Sequence, residues 1–537
     1  MAAPLNASAL QAGALISKSR FVIPQFQREY SWQLDEVIEF WSDLSSSIDT
    51  GDYFLGLIIL TEEDDIKNVV DGQQRLVTLT LLATALFFEA KKLGRKALAD
   101  RIEADFLRSI DYDTDAQMPR VFLSDPDDNK TLQTILDTGE SPQADLLEDS
   151  VSFRIVQSFN FLKQKLSADL KKDAFKRLGK WTDFITNQLY FAVFIHPDAA
   201  SAYTVFEVVN TRGRELTTAD LLKSYVLSQT PAADREDRYK QWRAISQSFS
   251  SEASGSTFVQ YIRHAVTVEY GHVLPKDLYG FLSRKKSQSK SPPSPPELID
   301  LLSKRLPLYR QIDDPTVSGP VEGKALEVFA ALNSLNVLTV RPILLALFDL
   351  QDPHPGMDYL LRLVVRRIVV GNLGTGNIER RFSEAAKKIW ETKDWTALSQ
   401  DLADLNPPKD EFIGQLRKRS FNKGTLTFVR RSVLQQTTTP KTDGVLHWIW
   451  PKNTSEWQGL TDENSFWAAT IGNSIIADIS ARPALASENW EGFKASLLNH
   501  AVEGEMVEDL EGYLTWDVES IEKMGRKAAE RAGDLWY

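Results

Sequence analysis

Apolar residues along this chain change period several times, and the changes divide it. Residues 54–60, Phe-Leu-Gly-Leu-Ile-Ile-Leu, form a short unbroken apolar run of the kind expected for a buried strand. Val69-Val70 marks the end of a second strand, and residues 190–195 predict a third. After the second, Leu76, Leu79, Leu82, Ala83 and Leu86 recur every three or four residues, which predicts a helix starting directly behind Asp71-Gly72. The acidic run Glu62-Glu63-Asp64-Asp65 between the first two strands reads as a solvated hairpin turn. Residues 1 to about 228 thus read as an α+β domain, and 229–400 as helical. The helical section is interrupted at 284–296, a Lys/Ser/Pro-rich stretch with too little apolar content to fold and expected to be an exposed loop. Residues 401–537 hold seven of the thirteen tryptophans, a strand signal at 445–450 and a terminal helical pattern near 521–536.

With 537 residues, the chain is too long for one core, and about three domains are expected. The sequence has no cysteine, which excludes disulfides, thiolate zinc sites and cysteine nucleophiles. The longest apolar stretches are interrupted by Arg341, Arg362, Arg366 and Arg367, and no basic segment precedes an apolar run at the start, so a soluble, cytoplasmic protein is expected. None of the six histidines is spaced for zinc, and no Gly-x-x-x-x-Gly-Lys-Ser/Thr loop occurs. A net charge of −12 speaks against a nucleic-acid partner, but residues 362–431 carry 15 Lys/Arg against 8 Asp/Glu. Within them Arg417, Lys418, Arg419, Lys423, Arg430 and Arg431 follow one another with no acid between. Two readings stand: a solvated helix face, or a track for the DNA backbone.

The stretch 69–76, Val-Val-Asp-Gly-Gln-Gln-Arg-Leu, runs a strand through a turn pair into a helix. The first amides of a helix are unpaired and partly positive, so an anion settles there, and Arg75 could fork onto a phosphate oxygen. Asp71 could hold magnesium or polarise a water that Gln73 and Gln74 orient. The competing reading is a capped helix whose arginine pairs with a carboxylate. Residues 23–32, Ile-Pro-Gln-Phe-Gln-Arg-Glu-Tyr-Ser-Trp, combine aromatic, basic and amide groups suited to a base beside a phosphate. Residues 206–216 form a polar, Gly-containing turn, after which Thr217 caps a helix with Asp220 three residues on.

Taken in order, Ile-Pro-x-Phe-Gln-Arg-x-Tyr-x-Trp, Phe54-Leu55-Gly56, Asp71-Gly72-Gln73-Gln74-Arg75, and Phe-Glu-x-x-Asn-x-Arg-Gly-x-x-Leu followed by Asp220-Leu221-Leu222-Lys223 resemble the N-terminal domain of the GmrSD family. These are modification-dependent (type IV) restriction proteins. The resemblance implies a ParB-like α+β domain that binds and hydrolyses a nucleoside triphosphate, GTP or ATP, with Mg²⁺ or Mn²⁺. It assigns that site to Gln27, Arg28, Asp71, Gly72, Gln73, Gln74 and Arg75, with Asn210 and Arg212 lining it.

At the other end, His447 lies mid-strand four residues before Pro451, and Ile471-Gly472-Asn473 follows. A histidine taking a proton from water and an asparagine oxygen on Mg²⁺ are the parts of a ββα-metal nuclease. A hydrogen-bonded strand histidine among tryptophans is the plainer reading. The layout, with 489–494, Trp516, Ile521 and Arg526, resembles the GmrSD C-terminal His-Asn-His-type nuclease domain embedded in helices. It departs from the family pattern at Leu446, where an acid is usual, and an alkyl group cannot ligate a hard cation. Asp443 or Asp478 could substitute. The expectation is therefore an NTP-dependent, modification-sensing DNA endonuclease of anti-phage defence, acting on double-stranded DNA alone, as a homodimer or with partner restriction–modification proteins. In that scheme Asp71, Gln74, Arg75 and His447 are catalytic, and Asn473 and Asp71 bind metal. The alternative is a nucleotide-gated DNA sensor whose nuclease is degenerate and which acts with a partner.

Overall fold

The computed structural model describes residues 6–24, 27, 29–63, 66–142, 146–148, 150–196, 217–249, 254–283, 291–371, 376–450, 465–478, 490–500, 510 and 512–537. The chain divides into two compact units, Met1–Ala244 and Ile245–Tyr537. As a whole it is α+β, as the hydrophobic pattern predicts.

The first unit is built on a mixed six-stranded sheet. Its strands are β1 (Asn6–Gln11), β2 (Arg20–Ile23), β3 (Tyr53–Glu63), β4 (Ile66–Asp71), β7 (Val121–Leu123) and β8 (Leu189–His196), in the order β1-β8-β3-β4-β2-β7. A separate two-stranded ribbon pairs β5 (Arg108–Ile110) with β6 (Gln117–Pro119). The predicted strands at 54–60, 69–70 and 190–195 fall in β3, β4 and β8. By contrast β1, β2 and β7 left no signal, because they are short and β1 is rich in Ala and Ser, which do not favour strands.

The sheet shares one hydrophobic core with α1 (Ala12–Ser17), α2 (Leu34–Ser47), α3 (Gln73–Lys92), α4 (Lys96–Ile102), α5 (Pro126–Thr138), α6 (Val151–Asp169) and α7 (Ala174–Asp183). Helix α3 is buried on nearly every side, from Leu76 to Phe87. It accommodates Thr80 and Thr84 there because each hydroxyl donates back to the carbonyl four residues earlier. One topological feature positions the site. Strands β4, β2 and β7 are mutually parallel, so their carboxyl ends share one edge of the sheet. From that edge the chain leaves into α3, into the segment ahead of α2, and into α5. Crevices outside the carboxyl ends of parallel strands are where open sheets receive ligands.

The second unit is mostly helical. Helix Pro295–Asp313 begins inside the stretch expected to be a loop, started by the Ser294/Glu297 capping box and the prolines at its first turn. Helix Val518–Trp536 lies against Lys409–Lys418 and closes on Gly472, where a Cβ would stand 2.0 Å from the Ile521 carbonyl oxygen. Strands β9 (Val445–Trp448) and β10 (Ser474–Ala477) form an antiparallel pair with His447 opposite Ile475. Among the described residues no helix is long and apolar enough to cross a membrane.

Candidate functional site

The Asp71–Arg75 motif sits where β4 meets α3. Gly72 is the N-cap of α3 with φ +91°, a conformation that excludes most side chains. A Cβ there would lie 2.9 Å from the Leu57 carbonyl oxygen. The Arg75 guanidinium also reaches β3, donating from Nη1 to Leu57 O at 3.2 Å and lying across Gly56. A Cβ on Gly56 would come within 2.9 Å of Arg75 Nη1, and Gly56 has φ +123° beside an irregularity in the β3–β8 register. The Phe-Leu-Gly motif therefore has a physical reason: it clears space for this arginine. Asp71 is half-buried, and desolvation pushes its carboxyl above the usual aspartate range, partly offset by the Gly72 amide and by Arg75. A desolvated carboxylate incompletely matched by positive charge fits the coordination of a hard cation.

Gln74 has a part beyond the one expected. Its Oε1 accepts from Ser31 N at 2.9 Å and Trp32 N at 3.4 Å, and its Nε2 donates to Glu29 O at 3.0 Å. Both ends of the amide hold the 29–32 segment, so Gln74 also serves as a structural strut. Gln73, in contrast, is 7% exposed and faces a cleft of about 420 Å³, mouth included.

That cleft lies at the shared edge of β2, β4 and β7, bounded by Gln27, Glu29, Tyr30, Gln73, Asp128 and Tyr239 among others. Gln27 is 4% exposed, its backbone N donates to Pro24 O, and its side-chain Nε2 is buried with no hydrogen-bond partner among the described residues. Tyr30 is anchored by Ser158 Oγ at 3.0 Å and Thr78 Oγ1 at 2.9 Å, and burial pushes its phenol up to about 12. Asp125 is the N-cap of α5: Oδ1 accepts from the amides of Asp127 and Asp128, and Oδ2 takes Arg243 Nη1 at 2.8 Å. Asp128 accepts Ser152 Oγ on Oδ1 at 2.7 Å, and its Oδ2 accepts no hydrogen bond from the described residues. Burial raises the Asp128 carboxyl to about 6, against the Ser152 hydrogen bond and with help from the charges of Asp125 and Glu29. Lys223 donates to Gln27 O at 3.3 Å and stands 4.0 Å from Glu29, with burial lowering its ammonium.

The sequence reading missed Asp125, Asp128, Tyr239 and Arg243. A signal existed for the first two, since Asp125-Pro126 behind an apolar triplet is a helix-start signature. Of the expected nucleotide-site residues, Arg28, Asn210 and Arg212 lie outside the described residues.

At the other end of the chain, Asn473 is fully buried with its amide saturated. Oδ1 accepts from Trp450 N at 2.8 Å and Trp516 Nε1 at 3.0 Å, while Nδ2 donates to Trp450 O and Ala468 O, each at 2.9 Å. No lone pair is left for a cation, so the expected metal-ligand role is corrected to a strut between loops. Leu446 is 3% exposed, and its side chain is part of the core. His447 is half-buried on β9, whereas Asp443 and Asp478 are exposed. Among the described residues no three His, Asp or Glu side chains converge as metal ligands.

The basic stretch is not a continuous track either. Arg430 is 2% exposed. Arg431 donates to the carbonyls of Asp443 and Gly444, Arg419 to those of Ile368 and Val369, and Arg417 pairs with Glu522 at 3.2 Å. Only Lys418 and Lys423 of the six expected DNA contacts are exposed. The correction has a simple cause: these arginines tie helix ends and loops together, which linear charge counting cannot register.

Residues 12–227 match the family model of the GmrSD restriction endonuclease, N-terminal domain. The first unit thus carries the N-terminal domain of the GmrSD restriction endonucleases, and the match does not extend to the C-terminal section. No curated protein matches the chain.

Proposed function

We propose that this chain, from its GmrSD-type N-terminal domain onward, is a DNA restriction protein of anti-phage defence gated by a nucleoside triphosphate bound at the carboxyl edge of β2, β4 and β7. The observation that carries this reading is the convergence of two separate motifs on one cleft: Gln27 arrives from the segment after β2 and Gln73 from the first turn of α3. Amides at the start of α3, at the positive end of the helix dipole, would receive phosphate oxygens. Arg75 keeps guanidinium donors beyond the one given to Leu57. Arg28, Asn210 and Arg212 are expected to complete the phosphate contacts. Asp71 would hold Mg²⁺ together with the phosphates, in keeping with the preference of that ion for one or two carboxylates plus substrate oxygens. Magnesium would supply charge neutralisation there.

Calorimetry of the full chain with Mg²⁺ and each nucleoside triphosphate tests the reading. Binding is expected, with loss of hydrolysis and of phage restriction in Asp71→Ala. No heat with any triphosphate, together with intact restriction by Asp71→Ala, would overturn it.

A second reading concerns the C-terminal section, and the saturated Asn473 amide beside a buried Leu446 favours it. Here the nuclease is degenerate, and the protein is a nucleotide-gated sensor of modified DNA that acts with a partner nuclease. Nicking of modified plasmid by the purified protein with Mg²⁺ or Mn²⁺, abolished in His447→Ala, would reject this second reading.

A further inference from the structure

Away from the strand edge, the first unit carries a concentration of positive charge that the candidate site does not use. Residues 91–96 hold four Lys or Arg and no acid, and residues 171–180 hold five with one acid, in a chain of net charge −12. The fold brings the two stretches together, because α4 and α7 both pack against α3. Arg95, the N-cap of α4, donates from Nη1 to Phe175 O at 2.6 Å, and its guanidinium lies 4.0 Å from the centre of the Phe175 ring. Lys91, one turn earlier, covers the Phe87 ring at 4.3 Å.

Lysines at helix ends are ordinarily explained by the helix dipole or by ion pairs. The dipole accounts for Lys91 and Lys92, in the last turn of α3. It works against Lys96, which opens α4, and Lys176, in the first turn of α7, because the amides there are already positive. Ion pairing accounts for Arg177 and Lys180, both held by Asp49. Lys92 and Lys176 meet a carboxylate three residues away, Glu89 at 3.4 Å and Asp173 at 3.5 Å, and stay 70% and 86% exposed. Among the described residues Lys91, Arg95, Lys96 and Lys172 have no carboxylate within ion-pair distance. This is the reverse of the 417–431 run, whose arginines are committed to carbonyls and to Glu522. Like charges gathered on one face without partners repel one another, and a polyanion relieves that repulsion.

We propose that this face, formed by the end of α3, the start of α4 and the first turn of α7, is where the first unit holds the DNA backbone. Its phosphate contacts are Lys91, Lys92, Arg95, Lys96, Lys172 and Lys176. The proposal rests on the restriction reading for the identity of the polyanion and not on the nucleotide, whose expected site lies at the other end of α3. The two ends of this 20-residue helix are on the order of 30 Å apart. Arg95 is the anchor: the Phe175 carbonyl and ring hold its guanidinium, so a fork for phosphate oxygens is presented with little side-chain freedom left to lose. The lysines around it are exposed point charges, suited to contacts that carry no sequence information. Because the chain as a whole is acidic, such a face also sets the orientation in which DNA approaches.

Fluorescence anisotropy of the full chain with a labelled, unmodified duplex of about 30 base pairs, over a range of NaCl, tests the surface, since backbone contacts need no modified base. The triple variant Lys91→Glu, Lys96→Glu, Lys172→Glu alters exposed side chains, and its melting temperature is expected to match that of the native protein. Its affinity at low salt is expected to fall by about thirtyfold or more, and the slope of log affinity against log salt to flatten by about 3. A folded triple variant with unchanged affinity and slope overturns the surface and leaves the restriction reading standing. Native protein that binds no duplex at low salt also overturns it, and phage restriction by that protein then decides the restriction reading separately. If phosphatidylserine vesicles capture the native protein and not the triple variant, with duplex binding the same in both, the face belongs to a membrane and the proposal fails.

Discussion

Two regions of this chain carry motifs of equal visibility in the sequence, and they differ in what their polar side chains have left over. At the carboxyl edge of the first-unit sheet, Gln27 and Asp128 line a cleft, and among the described residues Gln27 Nε2 has no acceptor and Asp128 Oδ2 no donor. Beside β9, every donor and acceptor of the Asn473 amide is already engaged by the protein. A motif residue whose valences are all internal holds structure. One whose valences point at a cavity is available for a ligand. The distinction depends on hydrogen-bond accounting and not on residue type.

The largest effect that bears on this contrast is expected at Asn473. Asn473→Ala strands Trp450 N and O, Ala468 O and Trp516 Nε1 in a buried site, a loss on the order of 4 kcal/mol. Denaturant unfolding followed by tryptophan fluorescence should show it as a large drop in midpoint. An Asn473→Asp protein that folds normally and acquires Mg²⁺-dependent nicking would break the comparison, because the residue would then be a ligand.

Next comes Gly72→Ala. The substituted residue must hold φ near +91° with its Cβ about 2.9 Å from Leu57 O, for about 2 kcal/mol or more of strain. Its expected signature is loss of nucleotide binding together with lowered thermal stability of the first unit.

Gln74→Ala should be milder. It removes three hydrogen bonds to the backbone of residues 29, 31 and 32, about 1–2 kcal/mol in net terms since the segment can rebond to water. Faster amide exchange at Ser31 and Trp32, with nucleotide affinity reduced and hydrolysis per bound nucleotide unchanged, identifies a strut. A loss of hydrolysis with affinity intact would identify the catalytic role.

These three positions also mark where the sequence was legible. The strand–turn–helix at Asp71–Arg75, the capping box at Thr217 and Asp220, and the strands that became β3, β4 and β8 follow from local pattern, and all formed. Which face of α3 each motif residue would take was not legible. It depends on β2 and β7, which have too few residues to register as strands, and on the 29–32 segment folding back over Gln74. The basic run misled for a related reason: Arg419 and Arg431 find their partners at carbonyls 50 and 12 residues away, information that no charge count contains.

Asp128 sharpens the comparison through pH. Its carboxyl lies near 6 in the folded protein, above the ordinary aspartate value, chiefly through burial. A raised acid contributes stability that is fully present below its unfolded value and is lost as pH rises through the folded one. Between about pH 4 and 6 the first unit should therefore lose stability with rising pH through this group. Asp128→Asn should flatten that portion of the profile, measured as melting temperature against pH, with the curves of the two proteins parallel above about 6.5.

The smallest effect is expected where a DNA track would demand the largest. Of the six basic residues from 417 to 431, only Lys418 and Lys423 are exposed. Reversing both to glutamate can remove at most two phosphate contacts, so the dependence of log affinity on log salt should flatten by no more than about 2. Arg430→Ala, in contrast, empties a site that is 2% exposed and should lower stability, leaving the DNA salt slope of the folded fraction unchanged. Were the Lys418→Glu, Lys423→Glu protein to lose DNA binding altogether at low salt, those two lysines would be the anchor of the interface. The contrast between a ligand-facing first unit and an internally satisfied C-terminal section would then have to be redrawn along this helix pair.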